Sequence, residues 1–520
     1  MNFATLLARS ATQYPDRIAI TDLDAPGGRT ELSYSRLWQH VQQTAQALRE
    51  LGLQPGDRVA MLLGNSWEYV QTFLAIASAG MVAVPMNIRL LEDELLHIVK
   101  DSGASVLIAQ HALLHTRRGL CGVAPQGEII VRPVGPLEDG QRGFEAFVRA
   151  EAGAGPEAVS DDHLAVIAYT SGTTGAPKGT MLAHRTWRIV SAYMRSLLGF
   201  AEDEVTIHTA ALTHGSGYLL LPTMEVGGRA ILCSKFDPAL TLHCLREERV
   251  TSGFMVPSMI QMLLDAHGDR PPLHDLALRA LYYAGSPIAP STLAGALATF
   301  GDVLIQSFAQ TESPMFLTAM GHEDHRRIHG DSPHLIRAAG RVVQGVALRI
   351  VDDEGRDVAP GEPGEVLAQA PHVMLGYWNR PQATAETLAE GWLHTGDIGR
   401  MDDQGYLYIV DRKKDMIISG GSNVYAREVE EVLQRAPGIR EAAVIGLPHP
   451  KWGEMVAAVL VPQEGFAVSE PELEAFCRRE IADYRRPKAF FRADALPRNA
   501  YGKVLKRELR DRLETLATPI

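Results

Sequence analysis

The sequence predicts an α/β protein of two unequal parts, and three observations carry that prediction. Between Met1 and Ser160, helical patterns alternate with short apolar runs such as Arg58–Leu63, Met81–Pro85 and Ala104–Ile108, and such alternation builds parallel sheets with helices on both faces. A further apolar run, Leu164–Tyr169, reads as a buried strand that opens into a loop rich in glycines and hydroxyls. Past Arg412–Asp415 the pattern changes to that of a small α+β unit.

Length and composition bound the reading. At 520 residues the chain is too long for one core, and roughly three units of about 150 residues are expected. A hydrophobic fraction of 46% with 22% charged residues is that of a soluble globular enzyme. The net charge of −12 and the pI near 5.9 argue against nucleic acid or an anionic membrane as the main partner. Cys121, Cys233, Cys244 and Cys477 show no CxxC spacing, which points to reduced thiols rather than a disulfide framework or a zinc site.

Taken in order, Met1–Ile20 lacks the apolar centre of a signal peptide. Thr72–Met86 is the most apolar segment, too short for a bilayer and interrupted by Gly80 and Pro85, so a buried helix followed by a strand is expected. Ala152–Pro156 reads as a loop. Ala517–Ile520 is no peroxisomal address, and the cytoplasm is the expected compartment.

The loop Thr170–Gly179 packs three glycines, four hydroxyls and one lysine into ten residues. Glycines let backbone N–H groups converge on an anion, hydroxyls add donors, and Lys178 supplies a point charge. A polyphosphate is the natural guest. A Walker A loop needs Gly directly before the lysine and Ser or Thr after it, whereas Lys178 sits between Pro177 and Gly179. The order of these ten residues resembles the phosphate-binding signature of the adenylate-forming superfamily, which holds acyl-CoA and aryl-CoA ligases, luciferases and adenylation domains.

Further blocks carry the same resemblance. A helix is expected from near His184, then Thr209–Gly217, which resembles the segment lining the family's carboxylate pocket. His214 then faces the acid, with Gly215, Ser216 and Gly217 leaving volume for an aromatic or medium-length acyl group. No Gly-x-Ser-x-Gly nucleophile elbow occurs there. Tyr283–Pro287 follows a predicted strand, and Gly285, Ser286 and Pro287 match the adenine pocket. Gln306–Glu312 resembles the family's Tyr-Gly-x-Thr-Glu box: Phe308 offers a π face to adenine, Thr311 a hydroxyl to phosphate, and Glu312 an oxygen to Mg²⁺. Phe308 stands for Tyr here, and Ala309-Gln310 stand where the family has Gly and an apolar residue.

Asp397, read as sitting on a tight Thr-Gly turn, is the expected ribose anchor, and Arg412, after a strand of alternating pattern, reaches the ribose or the phosphates. Ile417–Tyr425 leads into a helix over Arg427–Gln434 and a strand over Ala442–Leu447. Lys503, in the loop Leu496–Lys503, matches the family's catalytic lysine. Lys414 matches its hinge, and Ser419, Gly420 and Gly421 would border the pantetheine passage.

The resemblance implies a large N-terminal domain over residues 1–411, made of two doubly wound subdomains plus a distorted β-barrel, and a small mobile α+β cap over 412–520. Catalysis falls to Lys503, Thr170, Glu312 and His214. ATP is held by Thr170, Ser171, Gly172, Thr173, Thr174, Gly175 and Lys178, together with the adenine and ribose residues. The acyl pocket is expected from His214, Ser216, Met255, Pro257, Tyr283, Ala284 and Gln310. The implied reaction joins a carboxylic acid to ATP, giving acyl-adenylate and pyrophosphate, and then passes the acyl group to coenzyme A with release of AMP. A carrier-protein pantetheine is the alternative acceptor, and a silent nucleotide-binding scaffold is the alternative class. Magnesium is the expected metal, small molecules the expected partners, and a homodimer an assembly left open.

Overall fold

The computed structural model describes residues 1–148, 151–170, 177–273, 275–466, 468–498, 504–513 and 518–519. The chain gathers into two compact units. The first takes Met1–Thr170, the chain onward to Ala347, and Gln369–Leu393; the second takes Leu348–Ala368 and the chain from His394. This division differs from a boundary after residue 411. The Gly364–Gln369, Trp392–Met401 and Tyr406–Arg412 strands are neighbours in sheet order although other segments separate them in the chain.

Two sheets build the first unit. One runs in the order Gly376–Tyr377, Lys178–Ala183, Leu164–Thr170, Val82–Pro85, Arg58–Leu62, Val106–Gln110, Glu128–Val131 and Gln141–Gly143. It is parallel from Leu164–Thr170 outward, with an antiparallel edge made by the first two strands. The Arg58–Leu62 strand has its two successors on opposite sides, Val82–Pro85 on one and Val106–Gln110 on the other, so the strand order reverses there.

The second sheet is parallel from Ile18–Asp22 through Arg229–Leu232, Val205–His208, Ser252–Met255 and Ala280–Tyr283 to Leu304–Gln310. Its order reverses at Val205–His208, which pairs with Arg229–Leu232 and with Ser252–Met255. In open α/β sheets ligands bind outside the carboxyl ends of strands at such reversals. The Trp67–Ser78 helix is buried over nearly its whole length because it contacts Ile18–Asp22 of one sheet and Val82–Pro85 of the other. Ser66 caps it by accepting from the Tyr69 N–H at 3.3 Å. One core cluster joins Val59, Met61 and Ile108 of the first sheet to Ile20, Ala230 and Leu232 of the second.

In the second unit, Ala347–Val351, Gly364–Gln369, Trp392–Met401 and Tyr406–Arg412 are successive neighbours in sheet order. A second sheet carries the hairpin Ile439–His449 and Gly453–Pro462. Alternation along that hairpin buries both faces. Val444, Val456 and Ala458 pack against the Ala426–Leu433 and Glu470–Glu480 helices, while Ile445, Ala457 and Val459 pack against Leu496, Leu509 and Leu513. No helix among the described residues is long and apolar enough to cross a membrane.

Candidate active site

The expected phosphate loop leaves the middle of the first sheet. Leu164–Thr170 and Lys178–Ala183 pair antiparallel with Thr170 opposite Lys178, so those two residues mark the ends of the connection. Ser171, Gly172, Thr173, Thr174 and Gly175 lie outside the described residues. Gly179 serves packing rather than an anion, since a Cβ there would sit 2.6 Å from Ile167 Cγ2 and 3.0 Å from the Tyr169 ring. The Tyr169 hydroxyl donates to Asp101 at 2.7 Å, tying the strand to the helix Glu92–Ser102.

Lys178 does not stand alone. Its ammonium lies 5.2 Å from the centroid of the Tyr377 ring, and the Tyr377 hydroxyl donates to Glu312 Oε1 at 2.6 Å. Burial, then the Glu312 charge, push the Tyr377 hydroxyl pKa up, so it stays a donor. Glu312 itself sits in a tight turn: pairing of Gln310 with Ser313 leaves Thr311 and Glu312 as its two central residues. The Met374 N–H donates to the Glu312 carbonyl at 2.8 Å. Tyr377 thus joins two expected site residues, and the sequence reading missed it.

At the carboxyl end of the second sheet, Gly285, Ser286 and Pro287 form an exposed loop after Ala280–Tyr283. Gly285 has φ +91°, and a Cβ there would meet nothing nearer than Val256 at 3.7 Å. That geometry leaves backbone open to a flat ligand. Phe308 is half-buried on the adjacent Leu304–Gln310 strand.

The acyl-pocket set divides between two faces of this sheet. Met255 pairs with Tyr283, and Tyr283 turns its hydroxyl to Gln306 at 3.2 Å and His325 at 3.0 Å. Both residues are buried, on the opposite face from Phe254 and Tyr282, whose rings lie 5.4 Å apart. It is Phe254 that faces the His214 loop: a Cβ on Gly215 would lie 2.5 Å from its ring. Neither Gly215 nor Gly217 leaves volume for substrate, because Phe254 occupies the space beside the first and the Leu212 carbonyl the space beside the second. Ser216 and Pro257 are buried too, and the Ser216 hydroxyl lies 3.1 Å from His208 Nδ1.

Ala284 and Gln310 remain half-buried, and the Gln310 amide nitrogen is buried without a hydrogen-bond partner among the described residues. His214 is half-buried, with Nδ1 2.7 Å from the Thr213 hydroxyl. Burial, then the charge of Arg89, lower its pKa to about 4, so the imidazole is neutral at pH 7.

In the second unit Asp397 and Arg412 are cross-strand partners, with Arg412 Nε 2.8 Å from Asp397 Oδ1. Asp397 is not on a turn. It lies inside the ten-residue strand Trp392–Met401, where Gly396 takes φ +66°, and the Thr395 hydroxyl accepts from the Asp397 N–H at 3.1 Å. The Tyr406–Arg412 strand does not alternate, because both its faces are covered. Lys414 is exposed in the short turn Lys413–Asp415. Ser419 pairs with Ser422, so Gly420 at φ +59° and Gly421 at φ +83° are the two centres of a hairpin turn, which demands φ > 0 at both positions.

Lys503 lies outside the described residues. The chain on either side of it is anchored: Arg498 bridges Val504, the Leu505 N–H donates to the Pro497 carbonyl at 2.8 Å, and Lys506 pairs with half-buried Glu430 at 2.7 Å.

The profile of the AMP-binding enzyme family matches residues 7–378, and that of the AMP-binding enzyme C-terminal domain matches 428–503. The chain belongs to the AMP-binding enzyme family. Feruloyl-CoA synthase of Amycolatopsis sp is 39% identical over 93% of this chain and 94% of its own length. A fatty acid–[acyl-carrier-protein] ligase of Streptomyces coeruleorubidus is 35% identical over 93% and 92%. Among solved structures, o-succinylbenzoate CoA synthetase of Bacillus subtilis, with its acyl-adenylate intermediate bound, superposes with a TM-score of 0.84 at 29% identity, covering 97% of this chain and 98% of that one.

Proposed function

We propose that this AMP-binding enzyme is an ATP-dependent acid–CoA ligase that releases AMP and acts on an acid with an aromatic ring. The carrying observation is the grouping of Lys178, Tyr377 and Glu312 beside the Thr170–Lys178 ends of the phosphate loop. Adenylation brings a carboxylate against a polyphosphate, two anions that repel, so the site must neutralise charge and hold the attack in line.

In this reading Thr170 and Lys178 bind phosphate oxygens together with Ser171–Gly175. Gly285–Pro287 and Phe308 hold adenine, and Thr311 donates to phosphate. Asp397 and Arg412 take the ribose, and Lys503 screens the carboxylate. Magnesium would supply charge neutralisation at the phosphates. Glu312 fits that role as a single carboxylate in a half-buried turn, since Mg²⁺ is ordinarily held by one or two carboxylates and substrate oxygens. Tyr377 orients Glu312 by occupying one of its oxygens.

The acid pocket is formed by His214, Phe254, Ala284 and Gln310. Its support is the aromatic wall of Phe254, Tyr282 and Phe316 behind a neutral His214, which suits a planar apolar acid better than a short charged one. The similarity to feruloyl-CoA synthase agrees with that choice. Coenzyme A is preferred over a carrier protein because two relatives at 39% identity are named feruloyl-CoA synthase, against 35% for the fatty acid–[acyl-carrier-protein] ligase. The cap of residues 412–520 turns about Lys414 between the two steps, in the cytoplasm, where ATP and CoA are supplied.

Pyrophosphate release measured with ferulate, indoleacetate and decanoate, each with CoA, with a holo carrier protein and with neither, tests this reading. Acyl-CoA formation from an aryl acid is expected. Transfer only to the carrier protein, or no pyrophosphate with any acid, would overturn it.

A further inference from the structure

Asn65 lies in the loop that leaves Arg58–Leu62, the strand at which the order of the first sheet reverses. Its side-chain nitrogen donates to the carbonyls of His208 at 3.1 Å, Ala210 at 2.9 Å and Cys233 at 3.1 Å, and its oxygen accepts from the Leu212 N–H at 2.9 Å. These groups lie at the carboxyl ends of Val205–His208, where the second sheet reverses, and of its neighbour Arg229–Leu232. One amide, 7% exposed, therefore joins the two strand-order reversals of the first unit, pairing with three backbone groups of the segment leading to His214 and with the Cys233 carbonyl.

The amide is itself held. The Gly64 N–H donates to Gln110 Oε1 at 3.1 Å, the Ser66 hydroxyl caps the following helix, and the Trp67 N–H donates to Asp22 at 3.1 Å. At the far end of the segment, a Cβ on Gly217 would overlap the Leu212 carbonyl. The stretch from His208 to Gly217 is thus pinned from both sides, with His214 between the pins.

We infer that Asn65 is a positioning residue for the acid: by fixing the His208–Leu212 backbone it sets where His214 and Phe254 meet the acyl group. This rests on the reading that His214 faces the acid. Only an amide meets the demand, since a carboxylate lacks the donor that three carbonyls share, and an alkyl group removes the partner of the Ala210 and Cys233 carbonyls and of the Leu212 N–H, while the His208 carbonyl keeps the Cys233 N–H at 3.1 Å.

The test compares Asn65→Asp with the unaltered protein in steady-state kinetics on an acid panel with ATP and CoA, well below the unfolding temperature. Gln71→Leu is the control, because Gln71 donates to the Thr44 hydroxyl at 2.6 Å in the same helix layer and its loss destabilises without touching the His214 segment. Asn65→Asp is expected to raise KM for the acid about tenfold or more and to broaden the range of acids accepted. Its KM for ATP should stay within about twofold of the unaltered value, and Gln71→Leu should change neither constant. Should Asn65→Asp not fold, Gly217→Ala, which pushes on the Leu212 carbonyl from the other side, is expected to give the same split. A folded variant whose acid and ATP constants move together, or whose acid constant does not move, overturns the inference alone. An unaltered protein that ligates no acid overturns the ligase reading and the inference with it.

Discussion

The Tyr377 hydroxyl donates to Glu312 at 2.6 Å while the ring of the same tyrosine lies 5.2 Å from the Lys178 ammonium. One side chain thereby spaces the cation of the phosphate loop from the carboxylate expected to meet the metal. Both contacts come from the two-residue strand Gly376–Tyr377, which pairs with Lys178–Ala183 at the sheet edge.

Tyr377→Phe should keep the ring under Lys178 and lose the hydrogen bond to Glu312. A bond to a charged group is worth roughly 1.5–3 kcal/mol, so adenylation is expected to slow about tenfold to a hundredfold, with more magnesium needed for half-maximal rate. ATP–pyrophosphate exchange over a magnesium titration checks this. Unchanged exchange would mean that Glu312 needs no orienting.

For Lys503→Ala, loss of one preorganised charge is expected to cost adenylation roughly 2–4 kcal/mol. Acyl transfer to CoA from isolated acyl-adenylate should survive. Equal loss in both half-reactions would remove Lys503 from its proposed role.

Gly215→Ala should drive a methyl into the Phe254 ring and shift preference toward smaller acids. Phe254→Leu in the same chain should restore larger ones by yielding that space, a coupling that a double-mutant cycle reads directly. Additive effects would place Phe254 away from the acid.

Burial holds His208, His214 and His372 neutral, each with its pKa lowered to about 4. Unfolding returns them toward about 6.5. The unfolded chain therefore binds more protons between those values, and stability rises with pH through that window and levels off above it. Each histidine is expected to withdraw roughly 2 kcal/mol between pH 7 and 5. Chemical denaturation at pH 5, 6, 7 and 8 should show the slope, and His372→Asn should flatten it. The acid KM should stay level from pH 6 to 8, since His214 does not titrate there, and His214→Ala should raise it while the KM for ATP holds.

The hinge is tested by measuring the half-reactions separately. Lys414→Pro restricts φ in the Lys413–Asp415 turn and should suppress thioester formation more than adenylation. Gly421→Leu should do the same. Because Gly421 has φ +83° with nothing within 4 Å of a Cβ, Gly421→Ala carries the turn strain without the bulk and should transfer at near the unaltered rate. If Ala and Leu slow transfer equally, strain in the hairpin, rather than a blocked pantetheine passage, is the cause.

Several elements that carry expected site residues were legible from contiguous residues. The Leu164–Thr170 strand, the helix from His184 and the strand ending at Tyr283 appear where the apolar runs place them. Hydrophobic periodicity and short motifs determine such features because their causes, backbone preference and local burial, act over a few residues.

Only the tertiary structure decided which side chains from distant segments meet. Strand alternation places Phe254 and Met255 on opposite faces, but nothing near them in sequence says which face meets the His214 loop. The order of strands in the sheet settles that. Tyr377 reaches Glu312 across 65 positions and Asn65 reaches Leu212 across 147, each by a single hydrogen bond that leaves no periodic trace. Gly215 and Gly217 read as open space in the sequence and proved to be filled by a ring and a carbonyl, because a glycine records that a side chain is excluded without recording what excludes it.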